Sequence, residues 1–213
     1  MYKRQANEEG RYIGVTDVEL SEEGKQHLRL LKEECEYPPL QKIYSSPLKR
    51  CIQTAEILYP ELSVNVMPRL GEYNFGRFEN RKMSELQEDQ EFIAWMNGEV
   101  QPAGVETSAE FIERCKDGFS AVLSDMMKNK LSSVGIITHG GVIMNLLACF
   151  GLPQRQPYAW LAENGTGYTV AVNVQLWSQG QVFEVFEKVP YDPIDTDVTK
   201  EYNLIDIDDS VET

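Results

Sequence analysis

Two stretches of this 213-residue chain place reactive side chains where a strand gives way to a helix. In YSSPLKRCIQTAE an apolar run ends at Ser45–Ser46, Pro47 takes a first-turn position in the next helix, and Arg50 lies within that first turn. Backbone N–H groups, the positive end of a helix dipole and a guanidinium would then converge, a combination suited to a phosphate dianion. Taken alone, an arginine in a first helical turn is more often a solvated or ion-paired residue. In VGIITHGGVIMNLL, His139 stands at the carboxyl end of a strand, where α/β sheets place ligands. Gly140 and Gly141 would let a bound group approach the backbone closely. A purely structural histidine at this turn is the competing reading. Between the two lies RLGEYNFGRFENRKMSEL, where Glu72 is followed by Tyr73, Phe75 and Phe78. A carboxyl group beside aromatic walls can have its pKa raised and serve as a proton donor near neutral pH. Composition alone does not single out Glu72 among so many glutamates.

These positions need elements to hold them. Ser21 is a plausible N-cap for a helix to about Cys35, with His27 on its polar face. LQKIYSS and LSVNVM read as short strands on either side of the helix PLKRCIQTAEILY. KMSELQ and QEFIAWMNG look helical. TSAEFIERCKDGFSAVLSDMMKNK is the longest helical stretch, capped by Thr107 or Ser108, with Phe111, Cys115, Phe119 and Val122 near one face. SVGIITH has the continuous apolar run of a strand covered on both faces, and GGVIMNLLACFGL the pattern of a helix. YTVAVNVQLWSQGQVFEVFEKV alternates and predicts an edge hairpin turning at Ser178 to Gly180. Strands alternating with helices predict a three-layer α/β/α domain with a mainly parallel central sheet.

Bulk properties narrow the chemistry. The net charge of −14 disfavours nucleic acid as a partner. No apolar run is long enough to span a bilayer and no signal peptide is visible, so no membrane role and a cytoplasmic location are expected. Cys35, Cys51, Cys115 and Cys149 are scattered, and His27 and His139 are the only histidines, so neither a disulfide framework nor a metal site is expected. From Pro190 onward there are eight acidic residues against one lysine. That stretch, 190–213, reads as a solvated acidic tail.

The four stretches NEEGRYIGVTDVELSEEG, YSSPLKRCIQTAEIL, RLGEYNFGRFENRKMSEL and THGGVIMNLL, in that order, resemble the histidine phosphatase superfamily, the branch that includes cofactor-dependent phosphoglycerate mutase. The resemblance spans roughly Asn7 to Val189 and implies a phosphoglycerate mutase-like fold. It implies that Arg50 holds the transferring phosphate and that His139, with Gly140 beside it, binds the phosphate and stabilises its charge in flight. Glu72 would protonate the leaving-group oxygen and then help activate water, and Asn7 would line the pocket. The implied reaction passes a phosphoryl group from a small-molecule phosphomonoester to a histidine nitrogen and on to water, with no metal and no cofactor. Trp95 and QPAGVETSAEFIERC resemble the alpha-ribazole phosphatase type of cobalamin synthesis, although Gly104, Val105, Glu106 and Thr107 replace its usual Gly-Gly-Glu-Ser. A mutase-type phosphotransferase and a phosphate-binding pseudophosphatase remain alternatives, and no oligomeric state is implied.

One departure stands out. The family's first strand ends in an Arg-His-Gly motif whose histidine is the nucleophile, and MYKRQ occupies the place where it is expected. Residues 1–5 therefore read as a leader foreign to the domain, 6–189 as the phosphatase domain without its first strand, and the chain itself as catalytically inactive and poorly stable.

Overall fold

The structure, a computed structural model, describes residues 10–191. Asn7, the Met1–Gln5 leader and the tail beyond Tyr191 lie outside the described residues. Seven α-helices and six strands are formed among the described residues. In chain order they are α1 (Glu22–Glu34), β1 (Lys42–Ser45), α2 (Lys49–Leu58), β2 (Val64–Val66), α3 (Met83–Leu86), α4 (Gln90–Met96) and α5 (Ser108–Asn129). They continue with β3 (Val134–Ile137), α6 (Gly140–Phe150), β4 (Gly151–Leu152), β5 (Gly167–Ala171), α7 (Val174–Gly180) and β6 (Phe183–Val189).

The local chemistry explains where the main helices start. Ser21 caps α1 by accepting from the Gly24 N–H. Thr107 and Glu110 form a reciprocal capping box at the start of α5. Strand β1 alternates as a two-sided strand must: Ile43 turns into one apolar cluster and Tyr44 into the other. The first cluster gathers Phe111, Cys115, Phe119 and Val122 of α5 with Val142, Leu146 and Leu147 of α6. On the opposite face, Leu28 of α1 meets Ala55 and Leu58 of α2. The expected three layers are therefore present, with α5 and α6 on one side of the sheet and α1 and α2 on the other.

The strands fall into two sheets. One has the order β2-β1-β3 and is wholly parallel, in the register Ile43 to Val64 and Tyr44 to Ile136. The other has the order β4-β6-β5, with β5 and β6 antiparallel. The expected antiparallel pair is formed, but its connection differs from a tight turn. VNVQLWSQG supplies helix α7, capped by the Asn173 side chain, which accepts from the Gln175 and Leu176 N–H groups at 2.9 and 3.2 Å. Trp177 of that helix is buried against Phe119, Phe150 and Phe183, and this packing outweighs the local alternation. Strand β3 also departs from expectation. All four of its residues are half-exposed rather than covered on both faces, because the side of β3 away from β1 opens onto a cavity of about 1040 Å³. Beyond β6, Tyr191 bridges to Glu36 through paired backbone hydrogen bonds of 2.8 and 3.0 Å.

Candidate active site

Because β1 and β3 run parallel, their carboxyl ends lie side by side. The Ser46 N–H carries the ladder one step further, donating to the Ile137 carbonyl at 2.9 Å. The two chain segments then diverge into α2 and α6, each of which points its amino end at the same spot. Arg50 stands in the first turn of α2 and His139 at the N-cap of α6. The two side chains are only 3 % and 4 % exposed.

The two side chains touch. Arg50 Nε donates to His139 Nδ1 at 3.3 Å. A guanidinium has no lone pair to offer, so in this contact Nδ1 is the accepting nitrogen. On the other side of the ring, Nε2 lies 2.6 Å from the Ser46 hydroxyl. Ser46 in turn accepts from the Leu48 N–H at 3.3 Å. Cys51 lies against the same ring, its Sγ 3.5 Å from Nε2. The fork of Arg50 is held from the other side by two carbonyls, with Nη2 donating to Gly14 at 2.7 Å and Nη1 to Thr16 at 2.9 Å.

That first loop is itself caged. The Glu79 carboxylate accepts from the N–H groups of Gly14, Val15 and Thr16 at 3.0–3.2 Å and from that of Phe75 at 3.0 Å. Three successive N–H groups on one carboxylate hold the loop in a tight curve around it.

Glu72 reaches the site from the turn after a 3₁₀ segment, Pro68–Leu70. One carboxylate oxygen accepts from the Gly141 N–H at 3.1 Å and the other from its neighbour Tyr73 at 2.9 Å. The approach to α6 is so close that a Cβ on Gly141 would lie 2.4 Å from Glu72 Oε1. Gly141 is thus needed by Glu72. A Cβ on Gly140 would meet nothing within 4 Å, so it is Gly140 that faces open space. The backbone of the Glu72 turn is pinned by Arg114 of α5, which donates to the carbonyls of Arg69, Gly71 and Glu72 at 2.8, 3.0 and 3.2 Å. The same guanidinium holds Glu106 through two bonds of 2.8 and 2.9 Å. Glu106 also accepts from the Asn74 N–H at 3.1 Å, and the Tyr73 hydroxyl donates to its carbonyl.

Beside the carboxylate, Tyr12, Tyr73, Phe75 and Trp95 form an aromatic wall in which Tyr12 and Phe75 are 4.2 Å apart. Burial, followed by the neighbouring Tyr73 and Glu72, raises the Tyr12 pKa above its ordinary value. Arg50, His139, Gly140 and Glu72 are therefore brought together around one opening, while Asn7 lies outside the described residues. Among the described residues no group of three or more His, Cys, Asp or Glu side chains is placed to hold a metal ion. His27 is half-buried on α1 and lines the cavity beside β3. Sequence reasoning missed Glu79, Arg114 and Ser46. Only Ser46 carried a signal, as the last residue before the proline that opens the α2 region.

Comparison with known proteins decides the family. The sequence profile of the histidine phosphatase superfamily (branch 1) matches residues 3–181. The chain belongs to the histidine phosphatase superfamily. It is 31% identical to phosphoserine phosphatase 1 of Hydrogenobacter thermophilus over 149 residues, which covers 67% of this chain and 69% of that protein. It is 27% identical to the adenosylcobalamin/alpha-ribazole phosphatase of Escherichia coli, over 79% of this chain and 85% of the relative. Among solved structures, the alpha-ribazole phosphatase from Shigella flexneri superposes with a TM-score of 0.72 at 22% identity, covering 89% of this chain and 92% of that one. The expected phosphoglycerate mutase-like fold is thereby established for this histidine phosphatase homologue. No described helix is long and apolar enough to cross a membrane.

Proposed function

We propose that this site binds the phosphate of a small-molecule phosphomonoester and serves its metal-free hydrolysis through a phosphohistidine. The observation that carries this reading is the 3.3 Å contact between Arg50 and His139 at two parallel strand ends, with the Glu72 carboxylate on the next turn of backbone. A guanidinium and an imidazole can share the charge of a phosphoryl group in transfer. Glu72, held at the mouth of α6, is placed to give a proton to the leaving oxygen and to take one from water.

The reading needs a second histidine as phosphoryl acceptor. The chain has only His27 and His139, and His27 sits within helix α1 rather than at a strand end. We therefore assign this chain the phosphate-holding half of the chemistry and expect little turnover from it unaided. That favours, as a second reading for the chain by itself, a phosphate-binding pseudophosphatase. The names of the relatives suggest phosphoserine and alpha-ribazole 5′-phosphate as substrates to try first, with phosphoglycerate for a mutase-type activity.

The test is to fuse an N-terminal strand ending in Arg-His-Gly and to assay p-nitrophenyl phosphate, then the named esters and a set of sugar phosphates. The fused protein is expected to hydrolyse the nitrophenyl ester, and R50A or H139A in that background to lose roughly 100-fold or more. A parent chain within tenfold of the fused one would overturn the requirement for a second histidine, and a fused protein indifferent to both substitutions would overturn the site.

A further inference from the structure

The peptide joining Gly14 to Val15 lies between two charges. In a trans peptide the carbonyl and the N–H point in opposite directions. Arg50 Nη2 donates to the Gly14 carbonyl at 2.7 Å, and the Val15 N–H donates to Glu79 Oε1 at 3.0 Å. The oxygen end of this peptide dipole therefore faces a guanidinium and the hydrogen end a carboxylate. Each charge strengthens the hydrogen bond on the far side of the peptide. Thr16 repeats the pattern one residue later. Its N–H donates to Glu79 Oε2 at 3.2 Å, its hydroxyl donates to the same oxygen, and its carbonyl accepts from Arg50 Nη1 at 2.9 Å.

Glu79 is rigidly mounted. It follows Phe78, which is fully buried with Leu86, Phe92 and Val105. The backbone beside it pairs with the first loop: the Asn80 N–H donates to the Tyr12 carbonyl and the Tyr12 N–H to the Arg81 carbonyl, both at 2.8 Å. Glu79 Oε1 also accepts from the Phe75 N–H, three residues past Glu72. The loop fits closely against this segment. A Cβ on Gly14 would collide with the Tyr73 carbonyl oxygen and lie 2.6 Å from Glu79 Oε1. One carboxylate thus bridges the carbonyls that orient Arg50 and the chain that carries Glu72.

We propose that Glu79 is the positioning residue for Arg50: through the peptide 14–15 it aims the guanidinium at the phosphate position beside His139. The phosphate affinity of the site is then set by a carboxylate that acts through the backbone rather than on the ligand. This rests on the phosphate reading of Arg50 and His139. Without the carboxylate, the N–H groups of Gly14, Val15 and Thr16 lose their shared acceptor, and the curve they form is no longer held. The two carbonyls that grip the Arg50 fork belong to that curve and move with it. Beyond the curve the loop stays tied to α2. Asp17 accepts from the Lys49 N–H at 2.7 Å and Gln53 from the Leu20 N–H at 2.8 Å. The loss is therefore local, and it falls on the aim of Arg50.

The test uses the chain as it is, with inorganic phosphate as the probe, and compares the parent with three variants. Glu79→Gln keeps the size of the side chain and removes its charge. Thr16→Val removes only the hydroxyl donor to Glu79, and this milder change carries the test by itself if Glu79→Gln unfolds. Asp125→Asn is the control for lost stability, since Asp125 is bonded to Lys42 and Tyr44 of β1. NMR follows the Arg50 Nε–H and the Gly141 amide, which donates to Glu72, in the free proteins, and the His139 ring during titration. Glu79→Gln is expected to displace both free-protein resonances and to weaken phosphate binding about tenfold, and Thr16→Val to weaken it about threefold. Asp125→Asn is expected to bind as the parent does. Unmoved Arg50 resonances in Glu79→Gln and Thr16→Val, or affinities within about twofold of the parent in both, would overturn the proposal. So would a loss in Asp125→Asn equal to that in Glu79→Gln. A parent chain that binds no phosphate, while the Arg50 Nε–H still moves in Glu79→Gln, would uphold the grip of Glu79 on Arg50 and count against the phosphate reading alone.

Discussion

Arg50 and His139 hold each other through contacts that their sequence positions only half disclose. The junctions YSSPLKR and ITHGG show that both residues stand at strand ends, since a short apolar run followed by proline or glycine marks such an end in the sequence itself. What the sequence hides is the support. Glu79 and Arg114 lie far along the chain from the loops they hold, and nothing in ENRK or ERCK distinguishes them from solvated charges. Glu106 was visible only as the matching glutamate of a subfamily motif, yet it is the bidentate partner of Arg114. These contacts yield a specific expectation. Arg114→Ala removes charge-assisted bonds to a half-buried carboxylate, for which a loss of about 2 kcal/mol in urea-denaturation stability is expected. Gly141→Ala should leave stability closer to the parent while displacing Glu72, because its Cβ meets that carboxylate at 2.4 Å. If Gly141→Ala leaves the Glu72 carboxylate resonances unmoved, that packing account is wrong.

Helix α1, helix α5 and strand β1 lie where periodicity and caps put them, because each is specified locally: Ser21 and Thr107 cap their helices and the apolar faces follow. Helix α7 escaped detection for the opposite reason. Its Val174 and Leu176 alternate as in a strand, and only the burial of Trp177 among rings from three other elements settles the conformation. The tie between β1 and α5 offers a pH test. Lys42 and Tyr44 of β1 both donate to Asp125 of α5, at 2.6 and 2.5 Å. The Lys42 hydrogen bond, then that of Tyr44, lowers the Asp125 pKa below its ordinary 3.8. A carboxyl depressed in the folded state contributes stability above its unfolded pKa and loses it as pH falls through the folded value. Asp125→Asn is therefore expected to be less stable than the parent at pH 7, with the gap closing below pH 3.8. A gap of constant size between pH 7 and pH 2.5 would contradict this role for the ion pair.

Across the whole molecule, the three layers and the parallel core were legible because strand and helix patterns alternate along the chain. The separation into two sheets was not, since it depends on which edges meet in space. The run VGII reads as a strand buried on both faces, and its sequence does fit such a place; its half-exposure comes from the cavity beside it. The candidate site shares this dependence, with its arginine, histidine and glutamate assembled at one end of that cavity. The central claim is that Arg50 and His139 form a phosphate site. The most direct measurement is a titration of the chain with inorganic phosphate, followed by NMR at the His139 ring and the Gly140 amide. Saturable shifts at both positions, lost in Arg50→Ala with the remaining spectrum folded, are the predicted result. No shift at either position, or shifts that persist in Arg50→Ala, would contradict it.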